Sequence, residues 1–247
     1  MRKKTFSCLS VYLTAIVFLV STSACTKLST KTSTVIREPS GNYYLFNPDT
    51  ILTDLAQGKK NLFIEKDESF DPPLSEPLKV VQWSQEDYFQ IARAVHELFW
   101  NETADDWKLS LLDFAMDCQY INQGPQKAAF GLYKFTDPIF RNSGIEEFIA
   151  IVPSTNSIWR SNKRLGPTTM PSTAIDLSRL KVTAGDAFRI AEDHGGESAR
   201  HYAENRCQIS ASLAPSGLFK DWSVVYQNNN LDEIFTLLID PYTGTIK

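Results

Sequence analysis
The sequence predicts an α+β fold of two tandem repeats, each a helix packed on an antiparallel β-meander. An apolar pattern of helical period with an N-terminal capping signal occurs twice, after Ser84 and after Thr183. Each helix is followed by strand-like runs whose connections are too short for crossover helices. Three blocks of self-similarity also recur in the same order: 83–92 with 182–191, Cys118-Gln119 with Cys207-Gln208, and 151–158 with 239–246. Any one block has little weight, but their shared order and spacing support a diverged duplication.

Composition bounds the function classes. The 247 residues are 43% hydrophobic, 12% aromatic and 22% charged, which excludes a disordered or collagen-like chain. The net charge is −4, and the first 24 residues carry only the basic Arg2, Lys3 and Lys4, so the remainder is more acidic still. Nucleic acid is excluded as a partner, because no dense Lys/Arg stripe is present to neutralise phosphates.

Residues 1–24 have the layout of a secretory signal peptide: a basic start, an apolar run from Phe6 to Val20 broken only by Ser7, Ser10 and Thr14, then Ser21-Thr22-Ser23-Ala24. The run is short against the roughly 20 apolar residues of a permanent span. Small residues ahead of Cys25 resemble the bacterial lipoprotein signal, which implies that Cys25 carries a thioether-linked diacylglycerol and becomes the mature N-terminus. Thr22 departs from that pattern, which has Leu, Val or Ile there. Ordinary signal cleavage, or an uncleaved anchor with Cys25 a spare thiol, is the alternative. Residues 25–40 read as a tether, with Thr26 to Thr34 rich in Ser, Thr and Lys.

Residues 41–81, with prolines at 48, 72, 73 and 77 and one short helix from Asp49 to Gln57, read as an N-terminal extension on the first repeat. The first repeat spans 82–160. Ser84 and Asp87 have capping-box spacing, and Tyr88, Ile91, Ala92, Val95, Leu98 and Phe99 make one apolar face. Its strands are expected at 107–121, 128–135 and 147–152. Residues 161–181, with Gly166-Pro167 and Met170-Pro171, read as a linker. In the second repeat, 182–247, Thr183 and Asp186 repeat the capping signal, and the helix is expected to stop at His194-Gly195-Gly196. Strands follow at 203–212, 222–227 and 234–239.

Within the second repeat, residues 187–191, the Gly195-Gly196 break, the tryptophan-led run Trp222 to Tyr226 and above all Leu238 to Ile246 resemble a PepSY-type domain. That family has an N-terminal helix and a closing strand ending in Asp-x-x-Thr-Gly-x-Ile/Val. The first repeat matches weakly, with Asn156 for the turn glycine and Val152 for the aspartate. The resemblance implies an extracytoplasmic binding or inhibitory module, as in propeptides of secreted peptidases, and supplies no catalytic residues.

With Cys8 and Cys25 assigned to the signal and the lipid, Cys118 and Cys207 remain in a disulfide-permissive compartment. They are either bonded to each other or two buried thiols. Asp193, His194, His201 and Glu204 contain zinc-ligand residue types without helical i, i+4 spacing, so a surface cluster is the stronger reading. Glu102, Asp105 and Asp106 lack the alternation of a calcium loop and read as a solvated turn. Of the tryptophans, Trp83, Trp100, Trp107 and Trp222 fall at core positions, whereas Trp159, beside Arg160, Lys163 and Arg164, is the one expected at the surface.

No nucleophile elbow, P-loop or dinucleotide fingerprint occurs. The function expected is therefore non-enzymatic: a membrane-anchored module on the extracytoplasmic side of a bacterial envelope, binding or inhibiting a protein or peptide, without cofactor or metal. The alternatives are a hydrolase using the acid/His cluster and a structural envelope lipoprotein.

Overall fold
A computed structural model describes residues 41–67, 69–73, 79–135, 144–165, 174–214 and 220–247. The signal segment, Cys8, Cys25 and the tether lie outside the described residues. Nine strands form one antiparallel sheet: β1 (Gly41–Leu45), β2 (Ile64–Lys66), β3 (Lys108–Asp117), β4 (Lys127–Phe135), β5 (Gly144–Val152), β6 (Ser157–Leu165), β7 (Cys207–Leu213), β8 (Trp222–Asn228) and β9 (Glu233–Ile239). Their spatial order is β2-β1-β6-β5-β4-β3-β7-β8-β9.

This continuous sheet overturns the expected pair of tandem helix-on-meander repeats. The two meanders do not form separate sheets, because β3 and β7 pair over six positions, from Leu112↔Leu213 to Asp117↔Gln208. Side chains alternate across a strand, and this register puts Leu112, Phe114 and Met116 on the same face as Ile209, Ala211 and Leu213. Joining the edges thus pairs two rows of otherwise open backbone groups and keeps one apolar face unbroken. The sheet also extends beyond the meanders. Ser157–Leu165 forms β6, running into the segment read as a linker, and β1 from the N-terminal extension pairs with it.

The helices are α1 (Ile51–Ala56), α2 (Gln85–Trp100), α3 (Ala184–Ala191) and α4 (Glu197–Tyr202). Both capping signals form reciprocal boxes: Ser84 Oγ accepts from the Asp87 N–H while the Asp87 carboxylate accepts from the Ser84 N–H, and Thr183 and Asp186 do the same. An aspartate suffices in place of the usual glutamate. Helices α2 and α3 cover the same sheet face and meet near their N-termini, where Ala184 N–H donates to Gln85 Oε1 at 3.0 Å. Tyr88, Ile91, Ala92 and Val95 of α2 share one core with Phe188 of α3, Phe114, Phe130, Ile149 and Trp222.

The helical path does not stop at Gly195-Gly196 as expected. A π turn over Glu192–Gly196 carries it on into α4. Gly195 takes φ of +117°, which a larger residue resists, and a methyl group on Gly196 would lie 2.5 Å from Tyr226 Oη. That close approach lets Tyr226 donate to Glu192 Oε1 at 2.8 Å, while Arg200 donates to the same carboxylate. A disulfide joins Cys118 and Cys207 just beyond the paired ends of β3 and β7, with Cα atoms 5.3 Å apart.

Trp159 is buried, contrary to the sequence expectation. It packs on Phe148, and Gly41 of the neighbouring β1 lies so close that any side chain there would strike the indole. The basic residues around it gave a misleading signal, because strand alternation points Arg160 to the helix-covered face and Trp159 to the other.

Candidate functional site
A cleft of about 380 Å³ opens between α2, the start of β3 and the segment Ala174–Ser178. Three features shape it. The β3–β4 register shifts between Leu109 and Leu111, which bends β3 away from its regular path. Ile175 N–H donates to Leu109 O at 2.8 Å, clasping the incoming chain against β3. A short 3₁₀ turn, Ala104–Asp106, then returns the chain from α2 into Trp107.

The walls are apolar and the rim carries both charge signs. Phe89, Trp107, Leu109, Leu132 and Ile175 line the interior, with Arg93 and Lys108 beside Asp105 and Asp176 around the opening. Arg93 reaches Glu97 at 3.8 Å and Asp105 at 3.6 Å, loose exposed pairs that contribute little stability. Asp176 is fixed by the Ser178 side chain and N–H at 2.6 and 3.0 Å, and these bonds, the hydroxyl's first, hold its carboxyl below the usual range. Trp107 is fixed from outside: its Nε1–H donates to Glu102 at 2.8 Å, and Lys134 donates to the same carboxylate at 3.1 Å. These contacts, led by the Trp107 bond, lower the pKa of Glu102.

Behind Trp107 lies a buried charged cluster. His96 of α2, Glu147 of β5 and Arg160 of β6 are 0, 0 and 2% exposed. One oxygen of Glu147 meets His96 Nδ1 and the other accepts from Arg160 Nε. The strand register places Glu147 opposite Asn162 and Arg160 opposite Ile149, so the ion pair runs diagonally across β5 and β6 on the helix-covered face. The His96 ring stands edge-on to Trp107, with centroids 4.8 Å apart, and the Arg160 guanidinium lies 3.2 Å from the Phe99 ring centroid. His96 Nε2, Trp100 Nε1 and Arg160 Nη2 are buried without hydrogen-bond partners. Each such group ordinarily costs about 1–3 kcal/mol.

The acid/His residues singled out from sequence lie elsewhere, and three of them have separate partners. His194 Nδ1 contacts Ile190 O at 2.8 Å, Asp193 pairs with Arg189, and Glu204 pairs with Arg206. No group of three or more metal-ligand side chains occurs among the described residues. Sequence reasoning passed over His96, Glu147 and Arg160. The available signal was a histidine on the apolar stripe of α2, one position after Val95.

Residues Leu238 to Ile246 at the C-terminus build a turn. Asp240 Oδ1 accepts from the N–H groups of Tyr242 and Thr243, both at 2.9 Å, and Asp240 N–H donates to Thr245 O. Gly244 supplies φ of +79°, and Ile246 returns to bridge Ile239. Pro241 O accepts from Lys181 and Val182, whose own carbonyl accepts from the indole of Trp222 at 2.9 Å. The turn therefore ties the chain entering α3 to the sheet. Comparison with family models, curated proteins and solved structures found no match to the chain.

Proposed function
We propose that the protein is an extracytoplasmic binding module, anchored to the membrane through Cys25, that takes an apolar side chain of a protein or peptide into the cleft beside Trp107. The observation carrying this reading is the cleft itself: an apolar interior of about 380 Å³ whose rim offers cations and anions together. Its volume falls in the range of small binding pockets, about 300–1,000 Å³. A mixed rim suits a polypeptide, with its alternating donors, acceptors and side-chain charges, better than a polyanion. The Cys118–Cys207 bridge supports placement in an oxidising compartment.

The test is selection of short random peptides on the full chain, followed by affinity measurements against Ile175→Lys. A cationic side chain in the wall should weaken the selected peptides by about tenfold or more, as for the loss of a central contact. Selected peptides that bind Ile175→Lys as tightly as the parent, while its melting temperature is unchanged, would sink the assignment of the cleft.

A further inference from the structure
The end of α2 holds chemistry that the cleft does not use. Three buried nitrogens there lack partners: His96 Nε2, Trp100 Nε1 and Arg160 Nη2. They belong to one contiguous cluster, because His96 and Arg160 share the carboxylate of Glu147, and the Arg160 guanidinium is 5.5 Å from the Trp100 ring centroid. Unpartnered polar groups at such depth are rare and costly in native proteins. Two of the three nitrogens are obligate N–H donors, and His96 Nε2 is an acceptor in the tautomer whose Nδ1–H donates to Glu147.

The cover over this cluster is thin. The Phe99 ring lies on the guanidinium at 3.2 Å yet is itself 41% exposed, and it sits next to the last residue of a helix ended by Asn101 in the left-handed conformation. The ring that lies on the guanidinium belongs to the helix and not to a strand.

We propose that this corner is a latent site for an apolar carboxylic acid, taken up together with its proton. The acid keeps its proton: its O–H donates to His96 Nε2, and its carbonyl oxygen accepts from Arg160 Nη2–H. Trp100 Nε1–H completes the donor set, and the apolar tail lies where the Phe99 ring now packs. Charge selects the ligand class. Glu147 balances Arg160, so an acid that keeps its proton adds no unmatched charge, whereas a doubly charged phosphate leaves a buried excess. The other ionisable groups near the cluster do not upset that balance. Tyr44 of β1 is buried within electrostatic reach of Arg160 and Glu147, and Glu102 beyond α2 is already engaged by Trp107 and Lys134 of β4. On α2 itself, Arg93 and Glu97 are exposed and paired with each other.

Calorimetric titration of the full chain with phenylacetate, in two buffers of different ionisation heat, tests the proposal. Between pH 6 and 8 one proton should be taken up per ligand bound, and affinity should tighten by up to about tenfold for each unit fall in pH. The chain has three histidines, so imidazole nitrogen resonances resolve which one responds, and the His96 Nε2 resonance should move as it accepts the acid's O–H. Phe99→Ala removes the cover and should bind severalfold more tightly, whereas His96→Gln should lose the proton uptake and most of the affinity. The proposal is overturned if neither the parent nor Phe99→Ala binds phenylacetate, if binding takes up no proton, or if the His96 resonances stay unmoved.

Discussion

Replacing both Cys118 and Cys207 with alanine probes the seam between β3 and β7, and its cost follows from the sequence separation of 89 that the bridge closes. The chain-entropy relation gives about 4.6 kcal/mol for a loop of that length, most of it through freedom restored to the unfolded chain. A chain of this size loses about 2–4 °C of melting temperature per kcal/mol, so the double variant should melt about 9–18 °C below the oxidised parent. Loss of the two buried sulfurs adds little. The six paired positions of β3 and β7 and the shared core remain, so the sheet predicts one cooperative transition in the variant as in the parent. Thermal unfolding followed by circular dichroism and by tryptophan fluorescence measures both quantities. Two separated transitions would refute the continuous core. A melting temperature within about 3 °C of the parent would refute the entropic account of the bridge.

Two further perturbations report on desolvated charge. Glu147→Gln leaves Arg160 buried without a counter-charge and should cost about 3–5 kcal/mol in urea unfolding, whereas replacing His96, Glu147 and Arg160 together by apolar residues should cost less. Asp113 is held above the usual carboxyl range by burial, with the Ser212 hydroxyl acting against the shift. The folded state therefore binds this proton more tightly than the unfolded chain. Its stability contribution is full below the unfolded pKa, about 3.9, and is lost as pH rises through the higher folded value. Asp113→Asn should accordingly raise the melting temperature at pH 7 and leave it nearly unchanged at pH 3; no gain at pH 7 would count against a raised Asp113 carboxyl.

Local chemistry was legible in the sequence where it is decided within a few residues. Ser84 with Asp87 and Thr183 with Asp186 mark helix starts because the hydroxyl and the acid three residues later satisfy each other's backbone groups at any site along a chain. The turn after β9 is likewise encoded locally, by Asp240 accepting from two amides and Gly244 supplying the positive φ. Which strands become neighbours is not local. Nothing within 107–121 or 203–212 states that these two runs pair with each other rather than standing as open edges. Strand β6 was hidden for a related reason: Ser157 to Leu165 carries two arginines and a lysine, and reads as polar until one face is given a buried carboxylate and the other an aromatic partner.

The buried cluster follows the same logic at the level of single side chains. Glu147 and Arg160 lie 13 residues apart, and only the β5–β6 register brings them diagonally together. A slip of one residue would send Arg160 to the face that holds Trp159 and leave Glu147 buried under α2 without its cation. Their pairing therefore makes this register costly to change, a specificity that apolar residues at the same positions would not supply. His96 extends that constraint to the helix, because its Nδ1 must meet Glu147 for the α2 stripe to seat on the sheet. Trp107 then carries it outward, edge-on to His96 on one side and lining the cleft on the other. The position of the cleft wall is in this way tied to a charge arrangement that only one pairing of the strands permits.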